Sequence, residues 1–406
     1  MSELKLPISA DDVRSAAANI AGAIVRTPTN HSRTLSAMTG ADVYLKFEIF
    51  QFTAAYKERG ALNRLLSLPA GTKGVIAASA GNHAQGISYH AGRLGIPATI
   101  VMPIGTPFNK VKRTEELGAH VVLTGADFEA ATKAAYELAT SESLTFIHPF
   151  DDPLVMAGQG TVGLEMLEDV PDLETLIVPI GGGGLISGIA TIAKTVNPNI
   201  RIVGVQTEAF PAMKEAIDGT SLSGSNISIA EGIAVNQPGE RTRHVVKKLV
   251  DQIVTVSERQ IEAAIIAIME IEKVIVEGAG AIGFGALMQH PEVFKGQKVG
   301  MVLSGGNIDS RMLANAIMRS MARDGRLARL RITMLDQPGA LARVTDIVAQ
   351  VGTNIIEMRH HREFGALSLK QTEMELVIEA KDRAHAQALV HALEAADFKV
   401  DFAKTV

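Results

Sequence analysis

The chain has 406 residues, of which 47% are hydrophobic and 20% charged; it contains no cysteine, and its formal net charge is −5 at pH 7. This balance gives no electrostatic reason to expect nucleic acid or an anionic membrane as a partner, and the lack of cysteine excludes disulfides and thiolate sites. The length predicts two or three compact units. With no signal-peptide pattern and no run of about 18 apolar residues, we expect a cytoplasmic protein without a spanning helix.

From residue 73 onward, short apolar runs alternate with segments of helical periodicity. One series of predicted strands is KGVIAAS, PATIVM, AHVVLT and LTFIHP, and a second is LETLIVPIG, IRIVGVQT and QKVGMVLSGG. Strands that alternate with helices favour parallel sheets covered on both faces, so the predicted fold class is α/β. Two such series predict two lobes, with a ligand-binding cleft beyond the carboxyl ends of the strands.

The sequence changes character near residues 320–328, where SMARDGRLA is polar and contains glycine. The strand-like and helical segments that follow it have the order β-α-β-β-α-β. We therefore predict a first domain at 1–322, in which a small lobe of about residues 55–155 is inserted in a large lobe. A linker at 323–328 and a small domain at 329–406 complete the predicted organisation.

Three glycine-containing motifs each follow a predicted strand. SAGNHAQG at 79–86 opens a helix whose first N–H groups can bind an anion, although a plain turn capped by Asn82 is an equal explanation. PIGGGGLISGIA at 179–190 predicts a nest of backbone amides for a phosphate, but it lacks the Lys-Ser/Thr of a nucleotide P-loop and the acidic residue of a dinucleotide site. VLSGGN at 302–307 places Ser304 at a strand end, where a simple turn is again an equal explanation.

Lys57 begins a helical segment directly after FTAAY, and by itself it is most simply a solvated lysine. Beside the three motifs it completes the groups that pyridoxal phosphate (PLP) requires. These are an amine for a Schiff base, a nest for the phosphate and a polar group facing the ring nitrogen.

The motifs FTAAYKERGALN, ASAGNHAQG, PIGGGGLISG, AEGIAV and LSGGN occur in this order between about residues 25 and 320. In this arrangement the chain resembles the threonine/serine dehydratases (threonine ammonia-lyases) of the tryptophan-synthase-β-like class of PLP enzymes. DQPGAL and the helical segment after it resemble an ACT regulatory domain. The resemblance implies elimination of water and ammonia from L-threonine and L-serine to give 2-oxobutanoate and pyruvate, with regulation through the ACT domain.

The same resemblance implies the roles of individual residues. Lys57 would carry the Schiff base and remove the α proton, Asn82 would bond the cofactor's phenolic oxygen, and Ser304 would face its ring nitrogen. The other implied cofactor contacts are Tyr56, Gly181, Gly182, Gly183, Gly184, Leu185 and Gly232. The implied substrate contacts are Ser79, Ala80, Gly81, Asn82, His83 and Glu231. The cofactor phosphate is the expected proton donor to the leaving hydroxyl, with Glu231 as a helper.

Several positions depart from the family's pattern. Ala55 and Tyr56 stand where serine and phenylalanine are common before the lysine. Ala80 stands where related serine racemases carry a second acid/base serine, which favours elimination over racemisation. Gln206 and Ala212 occupy the positions of the carboxylates that bind a metal in those racemases, so no metal site is predicted.

Other residues receive simpler interpretations. His83 is expected to contribute its backbone amide rather than act as a base, and His360 and His361 are expected to be exposed because adjacent strand residues point to opposite faces. The segment 272–287 is predicted to be a single packed helix, and Glu277 within it is not expected to take part directly in the chemistry.

By the resemblance to ACT domains, Gly339 and Asn354 are candidates for binding an effector (an amino acid or a nucleotide) at a subunit interface, which implies a homodimer or homotetramer. Three alternatives stay open. The first is a lyase or racemase for another β-hydroxy amino acid such as 3-hydroxyaspartate, whose acidic side chain would need an extra cation. The second is a catalytically inactive amino-acid-sensing protein. The third is a nucleotide-dependent oxidoreductase, against which the missing ribose acid counts.

Overall fold

The computed structural model describes residues 5–221, 227–361 and 368–402. The chain divides into two units, Met1–Ile308 and Asp309–Val406. The division falls before the helix Ser310–Arg323, which the predicted domain 1–322 includes. None of the described helices is long and apolar enough to cross a membrane.

The first unit is a mixture of helices and short strands, and it contains every strand predicted in the two series. Its helices are α1 (Ala10–Ile20), α2 (Arg33–Thr39), α3 (Lys57–Leu66), α4 (Asn82–Arg93), α5 (Phe108–Glu116), α6 (Phe128–Glu142), α7 (Pro153–Asp169), α8 (Gly184–Val196), α9 (Ala212–Asp218), α10 (Glu240–Leu249), α11 (Glu258–Glu272), α12 (Gly278–Gln289) and α13 (Pro291–Phe294). Its strands are β1 (Thr29–His31), β2 (Asp42–Lys46), β3 (Val75–Ala78), β4 (Ala98–Met102), β5 (His120–Leu123), β6 (Thr145–Phe146), β7 (Thr175–Pro179), β8 (Arg201–Thr207), β9 (Gln252–Val256) and β10 (Lys298–Val302).

Two sheets form the framework of this unit, as the alternation of strands and helices predicted. The larger has the order β1-β2-β10-β7-β8-β9, parallel except for β1, and the smaller has the order β5-β4-β3-β6, parallel throughout. Strands β7 and β10 are neighbours, so their carboxyl ends bring the tetraglycine motif and the LSGGN motif to the same edge of the larger sheet. The SAGNHAQG motif follows β3, a central strand of the smaller sheet.

Branched aliphatic side chains and alanines fill both cores, in keeping with a composition that has only 4% aromatic residues. Helix α8 is buried along nearly its whole length, and glycines allow its close packing on α7. A Cβ at Gly188 would lie 2.2 Å from the Met156 carbonyl oxygen, and one at Gly160 would lie 2.8 Å from the Gly188 carbonyl oxygen. No side chain at these two positions would fit the helix crossing.

The predicted helix over 272–287 is wrong in one respect, because the structure has two helices there. Helix α11 ends at Glu272, and Lys273 then adopts a left-handed conformation with φ 60°. Helix α12 begins only at Gly278. The intervening residues carry Glu277 to the edge of the larger sheet, where its N–H donates to the Gly305 carbonyl oxygen at 3.0 Å.

The second unit has the predicted β-α-β-β-α-β order after an initial helix. Its elements are α14 (Ser310–Arg323), β11 (Leu327–Leu335), α15 (Ala340–Val351), β12 (Asn354–His361), β13 (Gln371–Glu379), α16 (Arg383–Ala395) and β14 (Lys399–Phe402). The antiparallel sheet has the order β12-β13-β11-β14, and the inward residues of β11 and β13 pack with α15 and α16 in one core. Only three residues separate α14 from β11, and they lie inside the predicted linker.

Candidate active site

The backbone that precedes Lys57 is fastened to the LSGGN motif. Ala55 forms an antiparallel bridge with Gly305, the Tyr56 N–H donates to the Ser304 carbonyl oxygen at 3.1 Å, and the Gly306 N–H donates to the Ala54 carbonyl oxygen at 2.9 Å. Ala54 is left-handed with φ 54°, which is uncommon for a residue other than glycine. Two motifs that lie some 250 residues apart in sequence therefore adjoin through their main chains.

The Lys57 amine lies at the start of α3 and is partly buried. Its Nζ donates to the Pro149 carbonyl oxygen at 2.8 Å and lies 5.4 Å from the centre of the Tyr56 ring. Burial lowers the pKa of Lys57 to about 8, although the nearby Glu277 carboxylate acts in the opposite direction. With that pKa, about a quarter of the amine is neutral at pH 7.5, against about 0.1% for an ordinary lysine. Lys57 is thus a competent nucleophile and proton acceptor near neutral pH.

Asn82 is the first residue of α4, and its side chain lies in a chain of hydrogen bonds. The Asn82 Nδ2 donates to Glu277 Oε1 at 2.8 Å, and its Oδ1 accepts from Asn307 Nδ2 at 2.8 Å. The Asn307 Nδ2 also donates to the Thr53 carbonyl oxygen at 2.7 Å. Because an amide nitrogen carries two hydrogens, the Asn82 side chain retains one further N–H for a ligand in the cleft.

Asn307 is a functional candidate that the sequence did not indicate, whereas for Glu277 the resemblance implies an acid near the cofactor that takes no direct part in the chemistry. The pKa of Glu277 is raised to about 7, mainly by burial. The Glu231 carboxylate also raises this pKa, whereas the Asn82 hydrogen bond and Lys110 lower it. Asn307 is the last residue of LSGGN, the motif in which the sequence predicts a role for Ser304 alone. An amide side chain at the end of a glycine-rich motif was the one sequence feature that could have pointed to Asn307.

The SAGN turn presents backbone groups rather than a titrating side chain. Ser79 Oγ accepts from the N–H groups of Gly81 and Ala84, each at 3.3 Å. His83 is buried, and its Nε2 lies 3.2 Å from the Ile147 carbonyl oxygen. Burial, assisted by the positive charge of Lys57, lowers the pKa of His83 to about 3. The imidazole is therefore neutral and a very weak base, which supports the interpretation that its amide is the useful group.

The tetraglycine motif turns tightly into α8. Gly183 is left-handed with φ 96°, and a Cβ there would lie 2.7 Å from Met213 Cε. A Cβ at Gly182 would lie 2.3 Å from ring atoms of Phe150. Thr242 Oγ1 donates to the Gly182 carbonyl oxygen at 2.6 Å and so holds the loop. The first N–H groups of α8 have no acceptor within the helix, so with the preceding glycines they form an anion-binding nest.

The structure brings most of the predicted site residues together through shared neighbours. Pro149 accepts the Lys57 hydrogen bond, and Phe150, the next residue, packs against the tetraglycine loop. A Cβ at Gly232 would lie 3.0 Å from Glu277 Oε1, and Glu277 in turn bonds Asn82. Ser304 is 2% exposed, and its carbonyl oxygen accepts the Tyr56 N–H at 3.1 Å.

Glu231 is exposed, and its carboxylate pairs with a residue that the sequence did not suggest. Glu231 Oε2 lies 2.5 Å from Lys110 Nζ, and the two side chains are 57% and 28% exposed. Lys110 belongs to α5 of the smaller lobe, whereas Glu231 lies in the chain between β8 and β9 of the larger sheet. The ion pair therefore joins the two lobes.

Gly339 and Asn354 lie at opposite ends of the antiparallel sheet. Asn354 is level with Leu327, the first residue of β11, whereas Gly339 follows Leu335, the last residue of that strand. Nine residues of strand separate the two ends by roughly 26 Å. A site that uses both positions would need two copies of the chain. His360 and His361 are exposed, as expected, and His360 Nε2 lies 3.0 Å from Thr372 Oγ1.

Comparison with known proteins agrees with this geometry. Residues 20–305 match the family of pyridoxal-phosphate dependent enzymes, and residues 328–395 match the ACT domain. The L-threonine ammonia-lyase of Thermotoga maritima is 41% identical over 403 residues, which cover 97% of this chain and 99% of the relative. Among solved structures, the processed form of threonine deaminase isoform 2 from Solanum lycopersicum has a TM-score of 0.69 and 35% identity, with 76% of this chain and 88% of that chain covered. Maize serine racemase has a TM-score of 0.72 and 35% identity, with 78% and 99% covered.

The chain belongs to the family of pyridoxal-phosphate dependent enzymes, and its C-terminal part is an ACT domain. The sequence motifs predicted a resemblance to the threonine ammonia-lyases. The similarity to such an enzyme over nearly the full length of the chain confirms this prediction.

The residues at the cleft fit the cofactor of this family. Glycines at 182 and 183 leave no space for side chains, so backbone N–H groups are what the loop offers to a phosphate. Ser304, which is 2% exposed, supplies a hydroxyl just after β10, and Lys57 supplies an amine of lowered pKa. An amine, a phosphate nest and a polar group for the ring nitrogen are thus present on one edge of the fold.

Proposed function

We propose that this chain is an ammonia-lyase that converts L-threonine, and also L-serine, to the corresponding 2-oxo acid and ammonia. The observation that carries the proposal is the Lys57 amine, which is held by Pro149 beside the Tyr56 ring and has a pKa of about 8. The similarity to L-threonine ammonia-lyase over nearly the whole chain supports the choice of substrate.

In this proposal the cofactor is held by the groups that the sequence predicted. Lys57 would bind its aldehyde, the N–H groups of Gly181 to Leu185 would bind its phosphate, and Ser304 would contact its ring nitrogen. Asn82 uses its remaining N–H for the phenolic oxygen, because its other N–H and its Oδ1 are engaged by Glu277 and Asn307. The Tyr56 ring and the Gly232 backbone flank the cofactor ring. The bound cofactor supplies an electron sink for the substrate's α carbon.

The protein's own residues then place the substrate and move its proton. The Ser79 hydroxyl and the backbone amides from Ala80 to His83 bind the substrate carboxylate at the start of α4, where the helix favours a negative charge. Lys57 Nζ accepts the α proton, for which its lowered pKa suits it. The β-hydroxyl then leaves as water; the proton that it needs would come from the phosphate of the bound cofactor, with Glu231, next to Gly232, as a helper.

Elimination is proposed over racemisation because of Ala80. A methyl group on the side of the substrate away from Lys57 cannot return a proton to the α carbon, so the second acid of a two-base racemase is missing. This distinguishes the proposed reaction from the one that the name of the similar maize structure indicates.

The ACT unit is proposed to bind a small effector, with Gly339 and Asn354 as contacts from different copies in a homodimer or homotetramer. We further propose that the enzyme works in the cytoplasm and has no nucleic-acid or membrane partner. The formal net charge of −5 and the lack of a spanning helix among the described residues support this.

The test is release of 2-oxo acid from the PLP-loaded enzyme with L-threonine, L-serine and L-threo-3-hydroxyaspartate, together with an assay for D-serine. We expect the highest kcat/KM for L-threonine and no D-serine beyond the background. The proposal fails if none of the three substrates yields a 2-oxo acid, or if D-serine is the main product from L-serine.

A further inference from the structure

The ion pair between Lys110 and Glu231 joins the two lobes and is not among the groups proposed to hold the cofactor. The Lys110 Nζ–Glu231 Oε2 distance of 2.5 Å is a direct charge-assisted contact between the smaller and larger lobes. The Glu231 carboxylate also faces solvent, since 57% of its side chain is exposed. Lys110 is therefore a cation between the lobes whose charge is already matched by a carboxylate.

A short path of contacts connects this pair to the substrate site. Gly232, next to Glu231, adjoins Glu277 Oε1, since a Cβ at that glycine would be 3.0 Å away. Glu277 Oε1 accepts from Asn82 at 2.8 Å, and Asn82 follows the Ser79–Gly81 turn proposed to bind the substrate carboxylate. Both charges of the pair act on Glu277, because Glu231 raises and Lys110 lowers its pKa. The pair is thus within electrostatic reach of the substrate.

We propose that Lys110 and Glu231 together set the substrate class, with Glu231 masking Lys110 so that the enzyme prefers uncharged β-hydroxy amino acids over acidic ones. This inference rests on the proposed function, since it concerns the side chain that the substrate carries. An acidic β-hydroxy amino acid needs a cation for its second carboxylate. Lys110 is such a cation between the lobes. Glu231 forms an ion pair with Lys110 and repels the second carboxylate of an acidic substrate.

The proposal predicts that removing only the charge of Glu231 exposes the cation of Lys110. In the Glu231→Gln enzyme, the ratio of kcat/KM for L-threo-3-hydroxyaspartate to that for L-threonine should rise at least about tenfold, because a rejected carboxylate gains an attractive partner. Adding Lys110→Gln to that variant should cancel the rise. The matched control is Glu116→Gln, which removes the same charge from α5, where Glu116 pairs with Lys112 at 3.7 Å on the surface.

A binding measurement separates this inference from the proposed reaction. L-aspartate and L-alanine have no β-hydroxyl to lose, so their Kd values can be read from the change in cofactor absorbance of the PLP-loaded enzyme. Glu231→Gln should lower the Kd of L-aspartate at least about tenfold relative to the Kd of L-alanine. Adding Lys110→Gln should reverse this change in the Kd ratio. If the wild type turns over no β-hydroxy amino acid, the proposed function fails, while this Kd ratio still tests the inference.

The inference is overturned if the kcat/KM ratio (L-threo-3-hydroxyaspartate to L-threonine) and the Kd ratio (L-aspartate to L-alanine) both change less than about twofold in Glu231→Gln, whether or not turnover of L-threonine falls. It is equally overturned if Glu116→Gln produces the same change, because the effect would then belong to net charge. A rise that survives the loss of Lys110 would also contradict it, since the cation that binds the second carboxylate would be another group.

Discussion

At the scale of single residues, Lys57 shows how an ordinary side chain becomes reactive through its surroundings. The preceding backbone is tied to Ser304 and Gly305, which fixes where α3 begins and where the amine points. Burial then disfavours the charged form of the amine and lowers its pKa to about 8. The nearby Glu277 carboxylate keeps that pKa from falling further.

The lowered pKa predicts how cofactor uptake depends on pH. Only the neutral amine attacks an aldehyde, so the rate at which the apoprotein takes up PLP should rise about tenfold per pH unit well below 8 and level off above it. Stopped-flow absorbance between pH 6 and 9.5 measures this rate. A rate that still climbs tenfold per unit between pH 8.5 and 9.5 would show an unperturbed lysine.

Gly183 offers a second prediction for a single residue. Gly183→Ala should weaken PLP binding at least about tenfold, because its φ of 96° disfavours a side chain and a Cβ would lie 2.7 Å from Met213 Cε. Titration of the apoprotein with PLP measures the Kd. Gly219→Ala is the matched control, since Gly219 has φ 69° with no atom within 4 Å of its Cβ position. Equal Kd values for the two variants would contradict a role for the loop in binding phosphate.

At the scale of elements, buried charges anchor α3 to α7 and to the turn that follows β2. Arg59 donates to both oxygens of Glu48, at 2.7 and 2.8 Å, and to both oxygens of Glu165, at 2.7 and 2.8 Å. Lys46 Nζ reaches Glu165 at 2.7 Å, and the side chains of Lys46, Glu48 and Arg59 are at most 1% exposed. Since Arg59 lies two residues after Lys57, the network also positions the helix that begins with Lys57.

Breaking this network should be far more destabilising than removing a surface ion pair. Arg59→Met leaves two buried carboxylates poorly compensated, so the free energy of unfolding should fall by about 3–5 kcal/mol. Arg14→Ala is the control, because Arg14 and Asp11 are also 2.7 Å apart but 50% and 88% exposed. Its expected cost is about 0–1 kcal/mol. Urea denaturation of the apoprotein measures both, and similar losses would contradict the structural role of the network.

The elements were largely predictable, because apolar runs, helical periodicity and glycine punctuation are local properties. The break at Lys273 was not predictable from the sequence, since the left-handed residue that ends a helix is usually a glycine and here it is a lysine. Nor was the contact of Glu277 with Asn82, which are 195 residues apart. Such contacts depend on how strands are ordered in the two sheets, and no local pattern encodes that order. The same holds for Lys110 and Glu231.

At the scale of the whole molecule, the PLP-dependent part and the ACT part are separate units with separate cores. Within one chain, Gly339 and Asn354 lie at opposite ends of the ACT sheet. An effector that contacts both must therefore bridge two copies, and this would link regulation to assembly.

This arrangement predicts the behaviour of the intact chain toward effectors. Turnover of L-threonine should respond to at least one of isoleucine, valine and AMP, and Gly339→Ala and Asn354→Ala should each raise the concentration needed for half of that response. Sedimentation velocity should show a dimer or tetramer. A monomer whose response is unchanged in both variants would contradict an effector site shared between subunits.

The role of Lys57 is tested most directly by one measurement, the release of 2-oxobutanoate from L-threonine by PLP-loaded wild type and Lys57→Ala. Because the amine both binds the cofactor and accepts the α proton in this account, turnover should fall at least about a thousandfold. Lys73→Ala, which removes an exposed lysine whose Nζ donates to the Glu142 carbonyl oxygen, should keep wild-type turnover. A folded Lys57→Ala enzyme with wild-type turnover would contradict the account.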